Sequence, residues 1–308
     1  MFNKKIKMAK IIAYCAIILS VNFTIHGNEL LSSFQPSPES DFEASINTEG
    51  TGVDITGYQG NDSVIYVPAT IQGFPVKNVD IRVDHSVTTL IVSEGCERVY
   101  VQRAPPYYDF PTNITRVYLP DSMEFYVLDN TQITEFEMPA NPNVSGFLPG
   151  TVEKVTFRGT PPEILGMDSF RGTKITEIVI PEGVKEIQFN AFWGCDFLKT
   201  VVLPDSLTII NHGVFAGCSS LESVTIPNNV TTIGEGAFKY CTALQSINLP
   251  TNLQKLGGDV FKDCINLVDL QIPESLSGFT MYDDFNNCPK LPFATQAQLR
   301  RLGYESYF

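Results

Sequence analysis

The stretch that decides the fold is FAGCSSLESVTIP, residues 215–227. Its apolar positions recur 23 residues later and also 23 residues earlier in the chain. Prolines mark the same interval, at Pro181, Pro204, Pro227, Pro250 and Pro273. Self-similarity at a fixed period of roughly 20 to 50 residues is the sequence signature of repeat architectures. The chain is therefore predicted to be a repeat protein.

Each unit reads L-x-x-I-x-L-P-x-x-V-x-x-I-x-x-x-A-F-x-x-C-x-x. The I-x-L part alternates apolar and polar residues, which is typical of a half-buried strand. The proline ends that strand because it has no N–H to donate to a neighbouring strand. The A-F-x-x-C part is predicted to turn the chain through a short helical or 3₁₀ segment. One unit cannot bury its apolar side alone, so we expect the units to stack into a solenoid with a continuous core.

The pattern weakens towards the N-terminus. Residues 114–120, 133–139 and 152–158 repeat every 19 residues and keep the strand without the A-F-x-x-C turn. Residues 87–93 and 97–103 are interpreted as further, more degraded strands. We therefore predict irregular short repeats over residues 83–173 and regular 23-residue repeats over residues 174–290.

The regular unit resembles the BspA-type, or treponemal-type, leucine-rich repeat of bacterial and some protozoan surface proteins. The segments GVDITGYQG (residues 52–60) and VIYVPATIQGFPV (residues 64–76) are similar to the opening of such arrays. The resemblance implies a mainly β leucine-rich-repeat solenoid with a strand on its concave face and short helical or 3₁₀ turns. It also implies an N-terminal β cap over residues 42–82 and adhesion at a cell surface.

The two ends are predicted to have other roles. Four lysines precede an apolar run, Ile11–Phe23, which favours a secretory signal peptide over residues 1–27, with an uncleaved anchor as the alternative. Export to the cell surface, the medium or the periplasm follows from that prediction. Residues 28–41 are interpreted as a polar linker. Residues 291–308 are predicted to cap the solenoid with a short helix, in which Thr295 and Gln298 form a capping box and Gly303 stops the helix.

The net negative charge of the chain after residues 1–27 bears on which ligands it can bind. Removal of residues 1–27 leaves 17 basic against 34 acidic side chains. Such a field repels phosphate backbones, so nucleic acid is not expected as a ligand. No segment after the signal is apolar enough to be predicted as a membrane span.

The recurring cysteines allow three interpretations. Cys195, Cys218, Cys241 and Cys264 share one register. Equivalent side chains in a stack point in parallel, whereas a disulfide or a zinc site needs them to converge. Core packing is therefore the favoured interpretation, because cysteine is among the most buried residue types. Disulfide and metal remain alternatives, and neither Cys96 nor Cys288 has an identifiable partner.

Catalysis has little support in the sequence. His85 and His212 are the histidines that follow the signal, and no G-x-S-x-G or H-E-x-x-H motif accompanies them or Cys96. We expect neither an enzyme nor a cofactor or metal.

The exposed strand face is the predicted functional surface. The middle residue of each strand is expected to point outward onto the concave face, giving the column Tyr100, Tyr118, Glu137, Thr156, Val179, Val202, Thr225, Asn248 and Gln271. The predicted ligand-binding residues are Tyr100, Tyr118 and Glu137, with Tyr107 and Tyr108 in an adjoining loop. Tyrosine favours recognition because it joins a large contact area to a hydrogen-bonding tip. Alternatively, these aromatic residues shield a core left short by the missing turns.

Binding of a host or neighbouring-cell surface protein through the concave face is the predicted function. The first alternative is a carbohydrate-binding module that uses the exposed tyrosines. The second is a structural component of the cell envelope.

Overall fold

A computed structural model describes residues 34–83, 86–103, 112–141, 144–273 and 285–302. The chain divides into two compact units, Met1–Gln35 and Pro36–Phe308, and every element below belongs to the second. The predicted signal peptide, His85, Tyr107 and Tyr108 lie outside the described residues.

The coils contribute strands to two faces. Face A consists of parallel strands that carry the I-x-L pattern. They are β3 (Val64–Val67), β6 (Thr89–Val92), β8 (Arg116–Tyr118), β10 (Glu135–Met138), β12 (Lys154–Phe157), β14 (Glu177–Val179), β16 (Thr200–Val202), β18 (Ser223–Thr225), β20 (Ser246–Asn248) and β22 (Asp269–Gln271). They form the sheets β3-β6-β8, β10-β12 and β14-β16-β18-β20-β22, with β8 beside β10 and β12 beside β14.

Face B is built from a second strand in each coil. Its strands are β2 (Val53–Tyr58), β5 (Phe74–Val83), β7 (Arg98–Arg103), β9 (Phe125–Val127), β11 (Ser145–Phe147), β13 (Ile164–Leu165), β15 (Glu186–Ile187), β17 (Ile209–Ile210), β19 (Thr232–Ile233) and β21 (Lys255–Leu256). At the N-terminal edge, β1 (Phe42–Ile46) pairs with β2 and β4 (Thr70–Ile71) pairs with β5, both antiparallel. A 3₁₀ helix (Glu39–Asp41) precedes β1.

The register confirms the predicted repeat. Val224 of β18 lies opposite Ile247 of β20, which lies opposite Leu270 of β22, each 23 residues from the next. The predicted mainly β solenoid is confirmed. The V-x-x-I segment after the proline also ends in a short strand, on face B, which the sequence analysis did not predict. Its two residues are too few for a period-two pattern to be recognised.

A column of phenylalanines fills the core under the turns. Their ring centroids are 4.9 to 5.8 Å apart and neighbouring rings are within 17° of parallel, along Phe170, Phe192, Phe215, Phe238, Phe261 and Phe285. All six rings are fully buried. Each buried aromatic side chain adds a large apolar area to the core, so this column stabilises the regular coils.

The cysteine column lies beside the phenylalanines. Every cysteine in the described residues is a free thiol and buried, namely Cys96, Cys195, Cys218, Cys241, Cys264 and Cys288. Cys218 Sγ donates a hydrogen bond to the carbonyl oxygen of Phe192 in the preceding coil, at 3.2 Å. Cys241 and Cys264 repeat that bond to Phe215 and Phe238, at 3.1 Å each. The core-packing interpretation is therefore confirmed, and the thiol also joins neighbouring coils.

The predicted short C-terminal helix is confirmed, but details at both ends of the solenoid differ from the prediction. Ser37 is buried and exchanges hydrogen bonds with Tyr66, so the end of the predicted linker packs against β3. Helix α1 (Phe293–Arg301) follows Pro292 and has no side-chain cap. The predicted capping box is wrong because Thr295 lies inside the helix rather than before it. Leu299 of α1 is buried, consistent with a cap on the core. Among the described residues, no helix is long and apolar enough to cross a membrane.

Candidate recognition surface

The predicted tyrosine column does not exist as one surface. Tyr100 belongs to β7 on face B, opposite Asp80 and Val127, whereas Tyr118 belongs to β8 on face A, opposite Ile91. The grouping is wrong because residues 97–103 form the second strand of the coil that begins with β6. In the sequence pattern, residues 97–103 resemble the first strand of a separate coil.

Face A presents small, neutral or aliphatic side chains along most of the predicted column. The predicted outward direction is confirmed for Val179 and Val202, which are 65% and 50% exposed. Tyr118 is half-buried, and burial raises the pKa of its hydroxyl. Glu137 is exposed, but Arg158 approaches its carboxylate to 3.6 Å. Of the residues predicted to bind on face A, one is therefore a half-buried tyrosine and the other a carboxylate that lies near an arginine.

Face B carries a cluster of aromatic rings on three consecutive strands. The Tyr100 and Phe125 ring centroids are 5.8 Å apart, and those of Phe125 and Phe147 are 6.0 Å apart. The rings are tilted by 49° in the first pair and 81° in the second. Tyr100 and Phe125 are half-buried and Phe147 is 38% exposed. Each strand of the series β7, β9 and β11 thus presents one ring outward.

The series continues into the regular coils. Gly166 packs against Ser145 of β11, so Met167 belongs to the coil next to Phe147. The N–H of Asp168 donates to the carbonyl oxygen of Phe189, at 3.1 Å, which puts Met167 and Phe189 on adjacent coils.

Exposed side chains end the series. Met167 and Phe189 are 49% and 40% exposed, and the Phe189 ring lies 5.3 Å from the exposed His212 ring. We name the whole set the aromatic stripe: Tyr100, Phe125, Phe147, Met167, Phe189 and His212.

Two charged side chains flank the N-terminal end of the aromatic stripe. An open depression of about 560 Å³ is lined by Arg98, Tyr100, Glu124 and Phe125. Arg98 and Glu124 are both exposed. Within the described part of the chain, neither side chain makes an ion pair or a hydrogen bond. The depression therefore combines two aromatic rings with one available cation and one available anion.

Most of the aromatic stripe was missed by the sequence analysis, although Tyr100 was included. Met167, Phe189 and His212 each lie two residues beyond a strand of face B. Later coils have Glu235 and Gly258 at this position. Apolar residues at a position that is otherwise polar or small were the available signal. It could be used only once the second strand of each coil was known.

The residues considered for catalysis do not form a site. Cys96 is buried, and burial raises the pKa of its thiol to about 12. The His212 ring contacts the Phe189 ring at a tilt of 55° and lies several coils away from Cys96. Across the described ranges, no group of three or more His, Cys, Asp or Glu residues is placed to hold a metal ion. A thiol with a raised pKa is a poor nucleophile at neutral pH.

The coiled parallel strands, the stacked phenylalanine core and the exposed faces define a leucine-rich-repeat solenoid. Residues 163–292 match the family described as "BspA type Leucine rich repeat region" in six copies. These residues are thus a BspA-type leucine-rich repeat region, which confirms the resemblance inferred from the 23-residue unit.

Three solved structures are similar to this chain, and the first of them shows the same fold. Pneumococcal vaccine antigen PcpA is 14% identical over 82% of this chain and 78% of that one, with a TM-score of 0.51. The T. pallidum leucine rich repeat protein TpLRR is 22% identical over 89% and 99%, with a TM-score of 0.35. A leucine rich cell surface protein from Faecalibacterium prausnitzii is 16% identical over 78% and 95%, with a TM-score of 0.39. No curated protein matches the chain.

Proposed function

We propose that this protein is exported and binds another protein through the aromatic stripe on face B. The observation that carries the proposal is the run of exposed or half-exposed apolar side chains on consecutive coils, flanked by the available charges of Arg98 and Glu124. Tyrosine, phenylalanine, methionine and arginine are enriched at the centres of protein interfaces, where they supply most of the binding energy. Export is supported by the lysine-rich start and apolar run of residues 1–27.

The tilt of the rings favours a protein over a glycan. A sugar ring stacks best on an aromatic face that lies open and flat. The Tyr100, Phe125 and Phe147 rings stand at 49° and 81° to their neighbours and present edges as well as faces. Side chains of a second protein can interdigitate with such rings, because edge-to-face contacts are favourable for aromatic pairs.

The side chains at this end of the aromatic stripe favour binding over catalysis. Arg98 and Glu124 flank aromatic rings, and no nucleophile with a nearby general base accompanies them in the described residues. Tyr118 and Glu137 on face A remain predicted ligand-binding residues, and so do Tyr107 and Tyr108, which lie outside the described residues. Adhesion at a surface is the biological role that such binding would serve.

The proposal is tested by comparing two triple variants in capture from host-matrix and cell-envelope extracts. The first, Y100A/F125A/F147A, removes the rings of the aromatic stripe. The second, V179A/V202A/T225A, removes exposed side chains of face A and is the matched control. Circular dichroism and thermal unfolding of both variants establish that they are folded.

A partner captured by the wild type and the face A variant, but not by the stripe variant, supports the proposal. Equal capture by all three proteins contradicts it. A glycan array is run with the same three proteins. Stripe-dependent glycan binding without protein capture would favour the carbohydrate-binding alternative.

A further inference from the structure

We propose that the aromatic stripe binds an amphipathic α-helix of the partner, which lies across the coils with one apolar residue per turn between successive stripe side chains. This inference rests on the proposed function and names the kind of partner segment that the stripe fits.

Spacing is the first argument. The ring centroids along the aromatic stripe are 5.8, 6.0 and 5.3 Å apart where neighbouring rings are in contact. An α-helix advances about 5.4 Å per turn, so residues at i, i+4, i+7 and i+11 follow a line with nearly the same repeat. A helix that lies along the aromatic stripe therefore places one apolar side chain at each coil.

Other backbone conformations fit the spacing less well. In an extended segment, side chains on one side recur about every 6.6 to 6.8 Å, which exceeds each of the three separations. A polyproline II segment repeats about every 9.3 Å. Over five intervals, a mismatch of about 1 Å each adds up to about 5 Å, which is roughly the spacing of one coil. A helix stays in register over the same distance.

Length sets the size of the partner segment. Five intervals of one helical turn each, at about 5.4 Å per turn, span roughly 27 Å. At 1.5 Å per residue, that distance corresponds to a helix of about 18 residues. A helix of this length is common in globular proteins, and it can bury a continuous apolar side against the aromatic stripe.

The flanking charges give the helix a preferred direction. Arg98 and Glu124 lie on neighbouring strands at one end of the aromatic stripe, and both side chains are available. A carboxylate on the helix would bind Arg98, and a lysine or arginine would bind Glu124. Charge complementarity of this kind fixes orientation and excludes other partners more than it adds affinity. The partner helix is therefore expected to carry both signs of charge near one end.

A displayed library of random 20-residue peptides tests the proposal. Wild-type protein is the bait, and F147A/F189A is used to remove peptides that do not depend on the aromatic stripe. Both substituted side chains are exposed, so the variant is expected to fold. The proposal predicts enriched peptides with apolar residues at i, i+3 or i+4, and i+7, and a gain of helical circular dichroism when the consensus peptide binds. F147A is expected to lower the affinity for that peptide about tenfold or more, and V202A is expected to leave the affinity unchanged.

Three outcomes would overturn the inference or its basis. Enriched peptides that alternate apolar and polar residues, or are rich in proline, show that the aromatic stripe binds an extended segment instead. That result contradicts the helix and leaves the proposed function standing. Complete absence of stripe-dependent peptides contradicts the helix, and the capture experiment then decides the proposed function separately. A charge exchange completes the test. R98E should lower the affinity for the consensus peptide about tenfold. Replacement of the acidic peptide residue that binds Arg98 by lysine should then restore the affinity. Failure of that restoration would exclude the assigned direction.

Discussion

Cys241 Sγ donates a hydrogen bond to the carbonyl oxygen of Phe215, one coil away, at 3.1 Å. The same carbonyl oxygen accepts the backbone N–H of Cys218, also at 3.1 Å. The cysteine of each coil thus completes the hydrogen bonding of a buried carbonyl group in the coil before it. A carbonyl oxygen can accept two hydrogen bonds, so the thiol adds a second bond to a buried group, which gives the cysteine column a role beyond filling space.

Replacement of Cys241 by valine is expected to destabilise the protein. Valine keeps the apolar volume but donates nothing to the Phe215 carbonyl oxygen, which keeps only the Cys218 N–H, so the loss should be about 0.5 to 1 kcal/mol in the free energy of unfolding. Urea unfolding followed by the fluorescence of Trp193, the one tryptophan in the sequence, measures the change. V202A is a suitable control, because Val202 is exposed. A C241V protein as stable as the wild type would show that the thiol hydrogen bond contributes nothing.

Alkaline pH is expected to weaken the regular coils. Burial raises the pKa of the Cys218, Cys241 and Cys264 thiols. In the unfolded chain a thiol ionises near pH 8.5. Above that pH the unfolded chain has lost protons that the folded chain retains, so the free energy of unfolding falls as the pH rises.

Each such thiol can contribute up to about 1.4 kcal/mol per pH unit between the two pKa values. Urea unfolding at pH 7.5, 8.5 and 9.5 measures the slope, and C241V should reduce it. The thiols should also resist labelling by Ellman's reagent until the protein is unfolded. Rapid labelling of the native protein would contradict their placement in the core.

Replacement of Tyr126 by phenylalanine is expected to leave stability unchanged or raise it by up to about 1 kcal/mol. The Tyr126 hydroxyl is fully buried, and no hydrogen-bond partner for it is found among the described residues. Its ring packs 5.1 Å from Phe136, and phenylalanine keeps that contact. Thermal unfolding tests the expectation. A clear loss of stability in Y126F would mean that the hydroxyl has a partner, such as a buried water molecule.

Replacement of Tyr240 by glycine is expected to stabilise the turn. Tyr240 has a φ of +62°, at a position where Gly172, Gly194 and Gly217 occupy the equivalent places in other coils. A left-handed conformation strains a residue with a side chain by about 1 to 2 kcal/mol. Glycine avoids that strain, but the greater flexibility of the unfolded chain offsets part of the gain. We expect the free energy of unfolding to rise by about 0.5 kcal/mol in Y240G and to fall by about 1 kcal/mol in G217A. Urea unfolding measures both changes. A loss of stability in Y240G together with a gain in G217A would contradict the shared backbone conformation.

The regular coils were predictable because each coil repeats the same few interactions. The proline interval, the I-x-L strands and the A-F-x-x-C turns depend on local pattern alone, and their registers, such as Val224 opposite Ile247, follow the 23-residue period. The second strand at Glu186–Ile187 has too few residues to show a period. Without a recognised second strand in each coil, Arg98–Arg103 is interpreted as the first strand of a separate coil. That interpretation puts Tyr100 and Tyr118 on one surface.

The aromatic stripe depends on which coils are neighbours, and sequence spacing alone does not show this in the irregular region. Phe125 and Phe147 become neighbours through the pairing of β9 with β11, in which Phe125 lies opposite Ser145 and Val127 lies opposite Phe147. The helix α1 shows the converse case, since its existence was predicted from local residues but its first residue was not. Pro292 precedes the helix without a side-chain cap, so the capping-box pattern at Thr295 was misleading.

Binding affinity for a captured partner tests the central claim most directly. Phe147 and Val179 are both exposed, at 38% and 65%, and lie on opposite faces. Calorimetric titration of the partner into F147A and V179A compares the two faces with one substitution each. We predict that F147A weakens binding about tenfold or more while V179A leaves it unchanged. Equal affinity of F147A and the wild type, together with weakened binding by V179A, would contradict the assignment of the binding surface to face B.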